Sequence, residues 1–172
     1  MSLLFTIARV LFSVIFVVSG TLKLMNISGT ASYIAAKVPI PPVLADMALQ
    51  AENATGMQSA QLIAIGAGLL EVVFGLLLAF GIATRFASLV LAVFTAAATF
   101  YFHDFWNQAD PERMNNMIHA EKNLSIFAGL LVFFVLGSWR PASAEPVDEY
   151  YPRAVPREEV RHEIRQEPVP PA

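Results

Sequence analysis

The chain has 172 residues, of which 56% are hydrophobic and 15% charged, with a formal net charge of −3 and no cysteine. Soluble domains carry about a quarter charged residues, so this composition points to an outer surface that faces lipid. Disulfides, thiolate metal sites and thiol redox chemistry within the chain are excluded, and no basic stripe with interleaved aromatics offers a track for nucleic acid.

The first apolar stretch runs over about residues 3–25, interrupted by Arg9 and Lys23. At 1.5 Å per residue it can cross a hydrocarbon core of about 30 Å. A cleavable signal peptide fits poorly, because a positive charge sits inside the apolar run and no A-x-A follows before Asn26. Residues 26–61 are more polar. Pro39-Ile40-Pro41-Pro42 cannot continue a helix interior, so this connection is expected to form short helices near 31–37 and 43–54 that cap one end of a bundle at the membrane interface.

The second span covers about 62–80 and is apolar except for Glu71. The turn Gly81-Ile82-Ala83-Thr84 leads to a third span over about 85–102. An aromatic cluster, Tyr101, Phe102, Phe105 and Trp106, then marks an interface. The fourth span covers about 118–139, ending at Trp139-Arg140-Pro141. The expected fold is therefore an all-α membrane protein: a four-transmembrane-helix bundle over 1–140, an interfacial loop after the first helix, and a C-terminal tail. That tail, 141–172, holds seven of the eleven prolines; it cannot build a core and is expected to be disordered or partner-bound. Four spans place both termini on one side. The short Arg85 turn and the Arg-bearing tail favour the cytoplasm, although Arg9, Arg85 and Arg140 are nearly balanced by Lys23, Lys37, Arg113 and Lys122 at the other end.

Charges inside the spans carry the functional signal. Glu71 lies mid-span, where an isolated carboxylate costs several kcal/mol, so it must be paired, protonated or wet. Gly68, Gly75 and Ala79 share its helix face, and small residues let a neighbouring helix approach. Adjacent spans run antiparallel, so counting from the span ends pairs Glu71 with Arg9, with Arg85 joining them or snorkelling to the surface. Such a pair either fixes helix packing or lines a pocket for a quinone or lipid head group, or a proton relay. A second polar cluster is expected at the opposite face: Lys23, His103, His119, Glu121, Lys122 and Asn123. Charges at span ends commonly act as interface anchors. His103-Asp104 with His119-x-Glu121 is a weak metal signal, and no metal site is expected. Arg9, Phe16, Gly20 and Lys23 share one side of the first helix and are expected to face the bundle. The common soluble-enzyme motifs HExxH, GxSxG, GxGxxG and GxxxxGK[ST] are missing.

Arg9 with Ser19-Gly20-Thr21-Leu22-Lys23, then Glu71-Val72-Val73-Phe74-Gly75, Gly81-Ile82-Ala83-Thr84-Arg85 and Glu121-Lys122-Asn123-Leu124, resemble the DoxX family over roughly residues 4–140. The resemblance implies a four-helix bundle in the bacterial cytoplasmic membrane. It also implies a link to quinone-coupled electron transfer, since the family includes the membrane subunit of a thiosulfate:quinone oxidoreductase. The function expected on this basis is a membrane subunit of an oxidoreductase assembly, an accessory subunit more than a self-sufficient enzyme. It would contact quinone or lipid, carry no covalently bound cofactor and anchor other membrane or membrane-associated protein subunits. The alternative is a non-catalytic assembly subunit of a larger complex, with the tail and the 26–61 connection as contact surfaces. A transporter lacks support, since no inverted repeat is evident.

Overall fold

The computed structural model describes residues 3–137. The expected anchor Trp139-Arg140-Pro141 and the tail 141–172 lie outside the described residues. The described residues are all-α, with six helices: α1 (Leu3–Met25), α2 (Ile27–Lys37), α3 (Ala45–Thr55), α4 (Ser59–Phe80), α5 (Thr84–Phe102) and α6 (Glu112–Leu136). Single 3-10 turns, Pro42–Leu44 and Phe105–Asn107, punctuate the two longer connections. Helices α1, α4, α5 and α6 are long and apolar enough to cross a membrane. Large apolar side chains on their outer faces stay exposed, among them Leu11, Val73, Val93 and Val135. Such a surface on every spanning helix is suited to lipid.

Periodicity explains which faces turn inward. The buried residues of α1 are Arg9, Ser13, Phe16 and Gly20, and those in the body of α4 are Ala64, Gly68, Glu71, Gly75 and Leu78. Both sets repeat at three and four residues, the spacing of one helix face. Small residues bring these two helices together: a Cβ built at Gly20 would stand 2.6 Å from the Gly68 carbonyl oxygen. The α4–α5 turn is set by Gly81, whose φ of 74° ends α4 in the left-handed conformation. Several hydroxyls inside the bundle bond back to their own helix, as Ser13 does to the Arg9 carbonyl (2.8 Å) and Thr95 to the Leu91 carbonyl (2.7 Å). That satisfies them where no water is present.

The bundle has a filled half and a hollow half. Toward the Leu3 end (the near end), Leu78, Ala87, Leu91, Leu130 and Phe133 form the main core with Phe16. The rings of Phe5 and Phe12 pack against Phe133 at 5.8 and 5.2 Å. At the Met25 end (the far end), α2 folds back over the bundle. The Asn26 side chain caps it by accepting from the Gly29 amide at 3.0 Å. Ala31 and Ile34 bury against Ala64, and Tyr33 stacks on Phe102 with centroids 5.1 Å apart. The apolar pattern locates α6 at residue 118, whereas the helix starts at Glu112. Its polar first turns extend beyond the apolar window, and helical hydrogen bonding does not depend on that window.

Candidate functional site

The hollow half holds a partly open cavity of ≈ 460 Å³ beneath α2. Helices α1, α4, α5 and α6 each contribute their far-end portion, through residues such as Ile15, Ile63, Phe94 and Ile126. Its walls are mainly apolar. The charged groups on it are Lys23 and Glu71, joined by the polar side chains Ser19, Thr95, His103 and Asn123.

Lys23 and Glu71 form the centre of this site. Lys23 Nζ lies 2.6 Å from Glu71 Oε2 and donates to Ser19 Oγ, also at 2.6 Å. The Ser19 hydroxyl donates in turn to the carboxylate at 3.2 Å. The local sequence explains this closed triangle, because Ser19 and Lys23 are four residues apart on α1 and share a face. The close approach at Gly20 brings Glu71 against them. The Glu71 side chain is 6% exposed and that of Lys23 is 28%, so the pair opens on the lysine side. An ammonium has three donors. Two are used here, which leaves one for a carbonyl or hydroxyl oxygen in the cavity.

This arrangement corrects the expected Arg9–Glu71 pair. Arg9 is buried, but its Nε donates to the Ala79 carbonyl at 3.3 Å, and its guanidinium lies against Gly81. Counting from the span ends assumed that the ends are level. Instead α1 projects beyond α4, so that Arg9 lies opposite Ala79, about 12 Å along the axis from Glu71 at 1.5 Å per residue. Arg85 does not join Glu71 either. It lies at the near end, where Nη2 approaches the Val135 carbonyl of α6 at 3.5 Å. Both arginines thus place positive charge at a helix C-terminus, where the dipole favours it.

The expected far-end cluster divides. Lys23 belongs to the Glu71 site. His103 and Asn123 line the same cavity, and Asn123 Nδ2 donates to Thr99 Oγ1 at 2.9 Å. His119, Glu121 and Lys122 are exposed, with the His119 ring stacked on His103 at 5.1 Å. A hydrogen-bonded strap crosses the far end: Lys37 Nζ reaches Asp104 at 3.0 Å, Gln108 donates to Asp104 at 2.8 Å, and Asn116 donates to Gln108 at 2.6 Å. Asn116 Oδ1 then meets His103 Nδ1 at 3.1 Å. Among the described residues no cluster of three or more His, Cys, Asp or Glu could hold a metal. Outside the spans, the Glu52 carboxylate accepts from the Ser59 amide (2.7 Å) and hydroxyl (2.6 Å), and these bonds hold its pKa below the usual carboxylate range. Sequence reasoning passed over Ser19 as a site residue; its i,i+4 relation to Lys23 was the available signal.

A bundle of four membrane-length helices, filled at one end and hollow around a Lys–Ser–Glu cluster at the other, defines a polytopic α-helical membrane protein. The profile of the DoxX family matches residues 4–104, and the chain belongs to that family. It is similar to the inner membrane protein YphA of Escherichia coli (strain K12), with 28% identity over 134 residues, 78% of this chain and 83% of that protein. No solved structure matches. The profile match contains Arg9, Ser19, Lys23, Glu71, Arg85 and His103, and ends before α6.

Proposed function

We propose that this DoxX protein binds a lipophilic quinone in the far-end cavity and serves as a membrane subunit of an oxidoreductase assembly. The chain supplies the binding site, and a partner protein supplies the redox centre. The observation that carries this reading is the Lys23–Ser19–Glu71 triangle set in an otherwise apolar cavity of ≈ 460 Å³. Small-molecule sites are typically mainly apolar, about 300–1,000 Å³, with a few convergent polar groups. A quinone ring and the start of its isoprenoid tail suit such walls, and the remaining Lys23 donor suits a ring carbonyl. Bound quinone would supply two-electron redox chemistry; the chain's residues orient it and keep water away. In this reading the protein sits in a bacterial inner membrane with both termini in the cytoplasm. The name of YphA supports the membrane, and single-cysteine labelling from either side reads the orientation.

The test is the quinone content of protein purified in mild detergent, measured by solvent extraction and chromatography. The wild type retains quinone near one equivalent. Glu71→Gln and Lys23→Met lose it while circular dichroism and gel filtration stay unchanged. If folded wild type holds no quinone above the level of an unrelated four-helix membrane protein, the quinone reading is wrong. The pair is then structural, and an assembly subunit becomes the better description.

A further inference from the structure

A second cavity, of ≈ 350 Å³, opens at the near end, remote from the Lys23–Glu71 site, and is lined by Ala83, Thr84, Arg85, Phe86 and Leu136. It lies at the start of α5. Ala83 precedes that helix and has no side chain to cap it. The first helical acceptor bond is that of the Ala87 amide to the Ala83 carbonyl, at 2.9 Å. The amides of Thr84, Arg85 and Phe86 are therefore the open donors that every helix N-terminus presents.

An independent observation sets this N-terminus apart. Thr84 is 1% exposed, and its hydroxyl is a buried polar group without a hydrogen-bond partner among the described residues. Later hydroxyls in α5 find partners in their own helix: Ser88 bonds to the Thr84 carbonyl, and Thr99 to the Thr95 carbonyl, each at 2.7 Å. Thr84 stands in the first turn and has no such carbonyl behind it. Buried polar groups are paired in the great majority of cases, so an orphan calls for an acceptor from outside the described residues. Arg85 adds a cation on the same wall. Its hydrogen bond to the Val135 carbonyl is long, 3.5 Å, and uses one of five donors.

We propose that this cavity binds a phosphate-ester anion, held by the α5 N-terminal amides, the Thr84 hydroxyl and the Arg85 guanidinium. Helix N-termini favour anions through both their free amides and their dipole, and a guanidinium matches phosphate oxygens. The rim favours an amphiphile, since Phe80, Ile82 and Phe86 around the turn are 72%, 55% and 60% exposed. Acyl chains pack on such a rim while the phosphate sits at the helix end. The same phosphate chemistry is offered by an anionic phospholipid and by free phosphate.

Native mass spectrometry of the purified full-length protein separates the two sources. One arm adds phosphatidylglycerol or, as a control, phosphatidylcholine to the detergent; the other adds inorganic phosphate alone. A lipid site retains phosphatidylglycerol over phosphatidylcholine, and Arg85→Gln lowers that retention about tenfold, as loss of a charge-assisted hydrogen bond predicts. Thr84→Val keeps both charge and shape, and lowers it several-fold, so the test survives if Arg85→Gln fails to fold. Binding of inorganic phosphate with the same dependence on both residues assigns the site to a free anion. Arg113→Ala, at the far end, leaves retention unchanged. Equal retention in wild type, Thr84→Val and Arg85→Gln overturns the site, as does an equal loss in Arg113→Ala.

Discussion

Gly20→Ala tests the contact that builds the Lys23–Glu71 site, and Gly66→Ala is its internal control. A Cβ at Gly20 would stand 2.6 Å from the Gly68 carbonyl oxygen and 2.8 Å from Glu71 Cβ. Carbon atoms pack at about 3.5 Å or more, so α1 and α4 must part by about 0.7 Å. Overpacking of this kind costs about 1–3 kcal/mol. The exchange also removes a helical glycine, which returns about 0.5–1 kcal/mol. Gly66 is on the same helix as Gly68, and a Cβ there meets nothing within 4 Å. Gly66→Ala therefore shows the propensity gain alone. Subtracting one variant from the other cancels that gain and leaves the clash, about 1–3 kcal/mol against Gly20→Ala. Reversible unfolding in mixed micelles with increasing dodecyl sulfate, followed by circular dichroism, measures the difference. If the two variants agree within about 0.5 kcal/mol, the helices do not approach at Gly20 and the derived placement of Glu71 fails.

Three further outcomes follow from the same geometry. Arg9→Met destabilises the bundle by about 1.5–3 kcal/mol, the range for a hydrogen bond from a charged group, yet leaves quinone content unchanged, because Arg9 serves the α4 C-terminus and not Glu71; loss of quinone from the folded variant would restore the Arg9–Glu71 pair. Lys23→Met leaves a buried carboxylate uncompensated and destabilises by about 3 kcal/mol, the low end of the range for a broken buried pair because Lys23 is partly exposed, whereas Lys23→Met/Glu71→Leu recovers most of the loss and still binds no quinone; stability of the double variant no better than that of Lys23→Met contradicts the pairing. At the α3–α4 junction, the folded-state pKa of Glu52 lies below the ordinary carboxylate value, held there by the bonds from Ser59. Its contribution is therefore present above that value and lost as pH falls through the lower folded value. Amide exchange at Ser59 should accelerate on acidification relative to neighbouring amides, and Glu52→Gln should show the fast exchange already at pH 7; a pH-independent difference between the two proteins rejects the assignment.

Hydropathy made the four spans legible because their length and apolarity answer to the thickness of the bilayer, a single physical scale. The inward faces of α1 and α4 were legible for a similar reason. Small and polar residues at helical spacing have few places to go except another helix. The partner of Glu71 was not legible. Helix ends carry no mark of their relative level, and a stagger of a few residues exchanges Arg9 for Lys23. The cavity was also hidden. Its walls come from five helices, and residues such as Ile15 and Ile63 look like ordinary lipid-facing positions in a linear pattern. Lys37 and Asp104, far apart in sequence, meet only because α2 folds back across the end of the bundle, a direction that the Pro39-Ile40-Pro41-Pro42 break allows but does not dictate.

The charges that cross into the apolar region divide along the axis into two kinds. At the near end Arg9 and Arg85 approach the carbonyls of Ala79 and Val135, close to the C-termini of α4 and α6. Helix dipoles favour both positions, and the main apolar core lies toward this end. At the far end Lys23, in the last turn of α1, is paired with Glu71 and bonded to Ser19. A packing role explains why such a pair survives burial, but it does not explain the space beside it. Here ≈ 460 Å³ adjoins the pair on its more exposed, lysine side. In the reading proposed above, an occupant with an apolar body and one oxygen acceptor accounts for the pair and the space together, whereas a packing role accounts only for the pair.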